Sequence, residues 1–289
     1  MGVGYPDTPG IWSDAQVEGW KLVTKAVHDE GGTIILQLWH VGRLSDPLYL
    51  DGKQPVAPSA IAAKGYISLV RPKKTFVTPR ALEANEIPDI VEAYRLGAVN
   101  AKAAGFDGVE LHGANGYLLD QFLQDSTNKR TDAYGGPIEN RARLMFEAVD
   151  AAVSVWGADR VGLHLAPRGD AHDMGDSNPA ATFGYVAREA GKRQLAFICA
   201  RESLDEPRQG PMMKKEFGGV YIANQQLTQE TGEMLLANGE ADAIAYGQLF
   251  ISNPDLPLRF AKHATLNTPD SETFYAIGAT GYTDYPFLA

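Results

Sequence analysis

Short apolar runs rich in β-branched residues alternate along this chain with longer stretches whose apolar residues recur at helical spacing. The first helical stretch opens on Ser13 and Gln16, a capping-box pair, and continues with Val17, Trp20, Val23 and Val27 on one face. Gly31-Gly32 ends it, and TIILQLW (33–39) follows with the composition of a strand buried on both faces. The pattern then repeats. A helix over roughly 86–104 leads to the strand GVELH, and a helix over roughly 138–156, stopped by Gly157, leads to RVGLHLA. LAFICA (195–200), GVYIAN (219–224) and ADAIAYG (241–247) are further strands, with helical segments between and after them.

Such alternation predicts an α/β fold with a parallel sheet and helical crossovers. The count is six strands, whereas a closed (β/α)8 barrel has eight and a doubly wound open sheet can stop at six. No Gly-x-Gly-x-x-Gly turn follows the first strand, which weighs against the open dinucleotide-binding sheet. No linker or internal repeat divides the 289 residues, so a single domain over 1–289 is expected. One irregular excursion, roughly 42–85, is rich in Pro and Gly; loops of that length usually form a lid or a site wall, or else are partly disordered.

Composition excludes several classes. The net charge of −10, with no basic run, leaves no footprint for nucleic acid. The apolar runs fall short of a membrane span, and the first residues lack a signal-peptide pattern, so a cytoplasmic protein without membrane partners is expected. The lone Cys199 rules out a disulfide framework and reads as a buried, inert thiol. No His-x-His or carboxylate cluster accompanies His112 and His164, so no metal site is expected.

In a parallel barrel, reactive groups collect at the carboxyl ends of the strands. Gln37 and Trp39, His112 and Asn115, His164, Glu202, Asn224, and Gly247-Gln248 all fall at such ends. The group HGANGY is the most specific. His112 and Asn115 each offer a donor, and two convergent donors suit a carbonyl or nitro oxygen that gains charge. Tyr117 on the following loop is a candidate proton donor on the opposite side of a substrate. These residues fit hydride addition to an activated C=C bond; without a hydride source they define an enolate-stabilising site. The alternative is structural, an Asn in a turn and a packed Tyr.

LQLWHVGR (36–43), HGANGYLLDQFLQDSTNKRTDAYGG (112–136), ENRARL (139–144), FISNPDLPLRF (250–260) and GYTDYP (281–286) together resemble the old yellow enzyme family, in particular its bacterial N-ethylmaleimide reductase-type ene-reductases. The resemblance runs from Gly4 to the end of the chain. It implies a (β/α) barrel that holds FMN at its carboxyl face, takes hydride from NADPH and reduces activated alkenes. Gln37 resembles the glutamine at the flavin pyrimidine edge. His112 and Asn115 resemble the pair that grips the substrate oxygen, Tyr117 the proton donor to Cα, and Trp39 and Tyr275 residues of the substrate pocket. Arg130, Asp132, Tyr134, Asn140 and Arg141 match a signature that reads as structural.

The chain departs from the family pattern in three places. Two strands of the family barrel have no counterpart before GYPDTPGIWS, which leaves about six of eight βα units, an N-terminally incomplete barrel that the missing segment could complement. His164 stands where many relatives carry an arginine beside the flavin. Gln225-Gln226 after Asn224, and Gln248 after Gly247, replace the Gly-Gly and Gly-Arg that relatives use around the phosphate, so either another cation such as Arg168 or Lys214 substitutes or FMN binds more weakly. The reading is an FMN-dependent ene-reductase acting on small activated alkenes, of unstated oligomeric state. Its rivals are a cofactor-poor barrel remnant serving as a binding or scaffold protein, and a flavin-independent lyase or isomerase.

Overall fold

The computed structural model describes residues 1–169 and 171–288. Its strands are β1 (Ile35–Leu38), β2 (Val56–Ala57), β3 (Arg80–Ala81), β4 (Gly108–Gly113), β5 (Val161–Leu165), β6 (Phe197–Arg201), β7 (Val220–Asn224) and β8 (Ala243–Ile244). Six of them form one parallel sheet in the order β1-β4-β5-β6-β7-β8. These are the six strands the sequence leads one to expect. β1 pairs only with β4 and β8 only with β7, so among the described residues the sheet has two free edges.

The helices are α1 (Asp14–Asp29), α2 (Ile87–Ala103), α3 (Leu118–Leu123), α4 (Ile138–Arg141), α5 (Arg143–Trp156), α6 (Pro179–Lys192), α7 (Gly210–Phe217), α8 (Gln229–Ala237), α9 (Gln248–Ser252) and α10 (Leu256–Ala261). The capping box of α1 forms as expected, Gln16 N–H donating to Ser13 Oγ and Ser13 N–H to Gln16 Oε1. Its apolar stripe is narrower than the sequence implies, because Val17 is buried while Val23 is exposed. The helix expected over 138–156 breaks at Ala142 into α4 and α5. Arg141, the last residue of α4, is buried there and pairs with Asp176 at 2.5 Å. This is the structural role read from the ENRARL motif.

Strand residues alternate between two faces. Val109, Leu111, Val161, Leu163, Leu165, Ile198, Ala200 and Tyr221 face the helices and join one buried core with Ile90, Tyr94, Leu144, Val149, Phe183 and Val186. Full burial of each Val, Leu, Ile or Phe among them contributes about 1.5–3 kcal/mol. The opposite face carries the polar residues. β1 is the exception to the expected burial on both faces, since Ile35 and Gln37 on that polar face are exposed.

The excursion over 42–85 is folded. It contains the short parallel pair β2–β3 and a bridge between Tyr66 and Thr75, neither of which the sequence announces. Lys74 pairs with the buried Asp46 at 2.7 Å. Val41, Leu44, Ala63, Ile67 and Phe76 make a second apolar cluster, and Tyr5, Trp39 and Tyr117 pack on it. The excursion therefore backs the aromatic residues at the carboxyl ends of β1 and β4. No helix among the described residues is long and apolar enough to cross a membrane.

Candidate functional site

Parallel register stacks the polar residues in layers. Gln37 is paired with Glu110; one step up, His112 is paired with His164 and His164 with Cys199; above these, Arg201 is paired with Asn224. All point away from the helices, because residues two apart on a strand share a face. Cys199 is a free, buried thiol whose burial, with Glu110 nearby, pushes its pKa up, consistent with an inert side chain.

A polar triad joins the lowest layer to the one above it. Gln37 Nε2 donates to Glu110 Oε2 at 2.5 Å and lies 3.0 Å from His164 Nδ1. With Nδ1 accepting, this network assigns the His164 proton to Nε2. That nitrogen is buried and has no partner. A buried donor of this kind costs about 1–3 kcal/mol unless something accepts from it.

Above it lies an aromatic group. The His112 ring is 5.0 Å from that of His164, 5.1 Å from Tyr117 and 5.9 Å from Trp39. Tyr117 meets Trp39 edge-on at 4.5 Å. His112 Nδ1 is also buried without a partner. Asn115 takes the left-handed conformation at φ 58°, which asparagine tolerates, and its Oδ1 accepts from Arg201 Nη1 at 2.7 Å.

The remaining sequence candidates spread around the rim. Asn224 Nδ2 donates to the Ala245 carbonyl, tying the ends of β7 and β8 together. Gln225 and Gln226 adopt φ 109° and 53°, a turn that glycine would enter without strain. Gly247 caps α9, Gln248 begins it, and a Cβ added at Gly247 would meet open space. Tyr275 is 79% exposed, its N–H donating to Tyr282 Oη, so it stands at the edge of the group rather than within it. Glu202 turns away, its carboxylate accepting from the Gln209 and Gly210 N–H groups at the start of α7. Arg168 donates to the Asp205 carbonyl. Lys214 corrects an expectation. It pairs at 2.5 Å with Asp242, whose carboxylate also accepts from Tyr221 N–H at the amino end of β7. It lies at the wrong end of the sheet to serve a carboxyl-face phosphate.

Three residues at the site escape a sequence reading. Glu110 could have been found, since it shares the strand face of His112 two residues away. Arg201 directly follows the expected strand 195–200, and extending that strand by one residue would have found it. Tyr5 carries no signal. It stacks on Trp39 with ring centroids 5.6 Å apart, and its hydroxyl lies 2.8 Å from that of Tyr117.

Burial dominates the electrostatics. It lowers His112 to about 3, with help from His164 and Arg201, and His164 to about 4, with help from Arg201. Both imidazoles are therefore neutral at physiological pH. Burial raises Glu110 to about 7, partly offset by the Gln37 hydrogen bond. A carboxyl raised on folding binds more protons in the native state, so stability falls as pH rises from its ordinary range through 7. Glu110→Gln is accordingly expected to raise Tm at pH 8 by several degrees and to change it little at pH 4, as thermal melts across that range would show. An equal gain at both values would mean that the carboxyl is not desolvated. Among the described residues, no cluster of three or more potential ligands could hold a metal ion.

Residues 1–267 match the NADH:flavin oxidoreductase / NADH oxidase family. The chain is 42% identical over 299 residues to 12-oxophytodienoate reductase 1 of Oryza sativa subsp. japonica, covering 99% of this chain and 77% of that protein. It is 42% identical over 302 residues to 12-oxophytodienoate reductase 2 of Arabidopsis thaliana, covering 99% and 79%. Morphinone reductase, solved in complex with tetrahydroNAD, superposes with a TM-score of 0.96 at 48% identity, covering 100% of this chain and 82% of that one. The old yellow enzyme homologue from Zymomonas mobilis superposes with a TM-score of 0.96 at 44% identity, covering 99% and 83%.

Proposed function

Because the chain belongs to the NADH:flavin oxidoreductase / NADH oxidase family, among the old yellow enzymes, we propose that it is an ene-reductase using NADPH and FMN to reduce the C=C bond of activated alkenes. It is an NAD(P)H-dependent flavin oxidoreductase on a (β/α)-barrel scaffold. Enones, enals, maleimides and nitroalkenes are the substrate class our reading assigns. The observation that carries it is the group of His112, Tyr117 and Trp39 rings, in which His112 keeps a buried nitrogen without a partner.

The residues present fit a flavin. The unpartnered Nε2 of His164 is a donor in need of an acceptor, and a pyrimidine edge presents several. Gln37 stands beside it. The positive-φ turn at Gln225-Gln226 and the open Gly247-Gln248 backbone offer N–H groups near Asn224 for a phosphate. Bound FMN supplies the hydride carrier between the nicotinamide and the alkene. The chain's own residues supply the rest. His112 and Asn115 donate to the oxygen of the electron-withdrawing group and stabilise the charge it gains. Tyr117 delivers the proton to Cα. Trp39 and the aromatic wall exclude water and hold a planar substrate.

With saturating FMN, anaerobic incubation with NADPH and 2-cyclohexen-1-one is expected to yield cyclohexanone, followed by gas chromatography. If NADPH is oxidised in a separate aerobic incubation but no cyclohexanone forms in the anaerobic one, the flavin oxidoreductase stands and the ene-reductase is removed.

A further inference from the structure

We propose that Arg201 is a positioning residue for substrate recognition: by occupying the amide oxygen of Asn115, it leaves that side chain only N–H groups to present to the substrate. The inference rests on the reading of Asn115 as an oxygen-gripping residue. It adds what makes Asn115 a donor there and nothing else.

An asparagine amide has a donor end and an acceptor end, related by a rotation that costs little on its own. A free Asn115 could therefore turn its carbonyl toward the substrate oxygen and repel it. A guanidinium removes that choice, because it has five donors and no acceptor. Arg201 Nη1 lies 2.7 Å from Asn115 Oδ1. Turning the amide over would set N–H groups against N–H groups.

The placement is built from three strands. Arg201 is the last residue of β6 and reaches past the end of β5 to the turn after β4. Its other arm is held in the opposite direction, Nε donating at 2.5 Å to Gln225 Oε1 after β7. The side chain is thus fixed at both ends, and it fixes Gln225 in the same oxygen-inward sense. Among the described residues its side-chain partners are two amide oxygens and no carboxylate. It stands near His112 and His164, both of which are neutral and can give hydrogen bonds but no net charge. Arg201 is then a fixed cation for this part of the site. The ligand class it selects is a planar molecule whose oxygen carries or acquires negative charge.

Phenolate binding tests this without relying on turnover. A phenolate stacked on oxidised flavin gives a long-wavelength absorption band, so the affinity for 4-chlorophenol can be titrated on the chain saturated with FMN. Arg201→Met is expected to weaken that affinity by about tenfold or more. In an Asn115→Ala background the same substitution should change it by less than about twofold, since residues that act through one another are not additive. Arg201→Lys, which keeps a donor-only cation, should recover most of the affinity. If Arg201→Met loses its flavin, Arg201→Gln makes the same comparison, because glutamine can pair with either end of the amide. An equal loss in both backgrounds overturns the positioning role and leaves Asn115 as the oxygen-gripping residue. Unchanged phenol affinity in Asn115→Ala itself overturns that reading and the inference with it.

Discussion

Tyr117→Phe is expected to slow reoxidation of the reduced protein by an enone by about a hundredfold to ten-thousandfold, the range a positioned proton donor contributes, while reduction by NADPH stays near its original rate. Only the alkene step needs a proton at Cα. Burial raises the Tyr117 pKa, and so do Tyr5 beside it and Tyr275 further off, so the hydroxyl keeps its proton throughout the physiological range. Tyr5 gives the phenol a hydrogen-bonding partner at 2.8 Å, in which either oxygen can be the donor. The substitution removes that bond, worth about 0.5–1.5 kcal/mol, and leaves the ring contacts with Trp39 and His112 in place. Folding should therefore survive, and the two half-reactions can be timed separately by stopped-flow absorbance. Equal slowing of both would sink the assignment, since it would mean that the ring positions ligands and the hydroxyl gives no proton.

The parts of this site that were legible in the sequence are those governed by local periodicity. Strand alternation puts His112 and His164 on one face, and their register then sets the rings side by side. The capping box of α1 and the six strands follow from patterns a few residues long. What the sequence hid depends on contacts between distant segments. Tyr5 reaches Tyr117 across 112 positions, out of an irregular stretch with no periodic signal. Arg201 reaches Asn115 across 86 positions, and only the fold decides that they meet. Lys214 misled for the opposite reason. Its charge is visible in the sequence, but the end of the barrel it occupies is not, and Asp242 claims it there. The break at Ala142 was hidden because the residues on both sides are good helix formers; the buried Arg141–Asp176 pair accompanies it, and no proline or glycine marks it.

A 289-residue polypeptide of this sequence is expected to bind FMN weakly and to self-associate, because among the described residues its sheet ends in two free edges. β1 offers backbone groups on the side away from β4, and β8 on the side away from β7. Next to the free groups of β1, Ile35 is 42% exposed. An edge that combines unpaired backbone with exposed β-branched side chains is a template for pairing with another chain. The same opening weakens cofactor binding, since Gln37, on the edge strand β1, is itself exposed and is one of the residues that would meet the flavin. A charge placed on the edge should separate the two effects. Ile35→Lys is expected to reduce concentration-dependent light scattering without improving FMN affinity, because it blocks strand addition but covers nothing. Adding in trans a peptide from the part of morphinone reductase outside the 82% that this chain covers should improve both if that part pairs with the free edges. Tight, stoichiometric FMN binding by the 289-residue polypeptide alone would show that the two edges tolerate water and that closure of the sheet is not required to hold the cofactor.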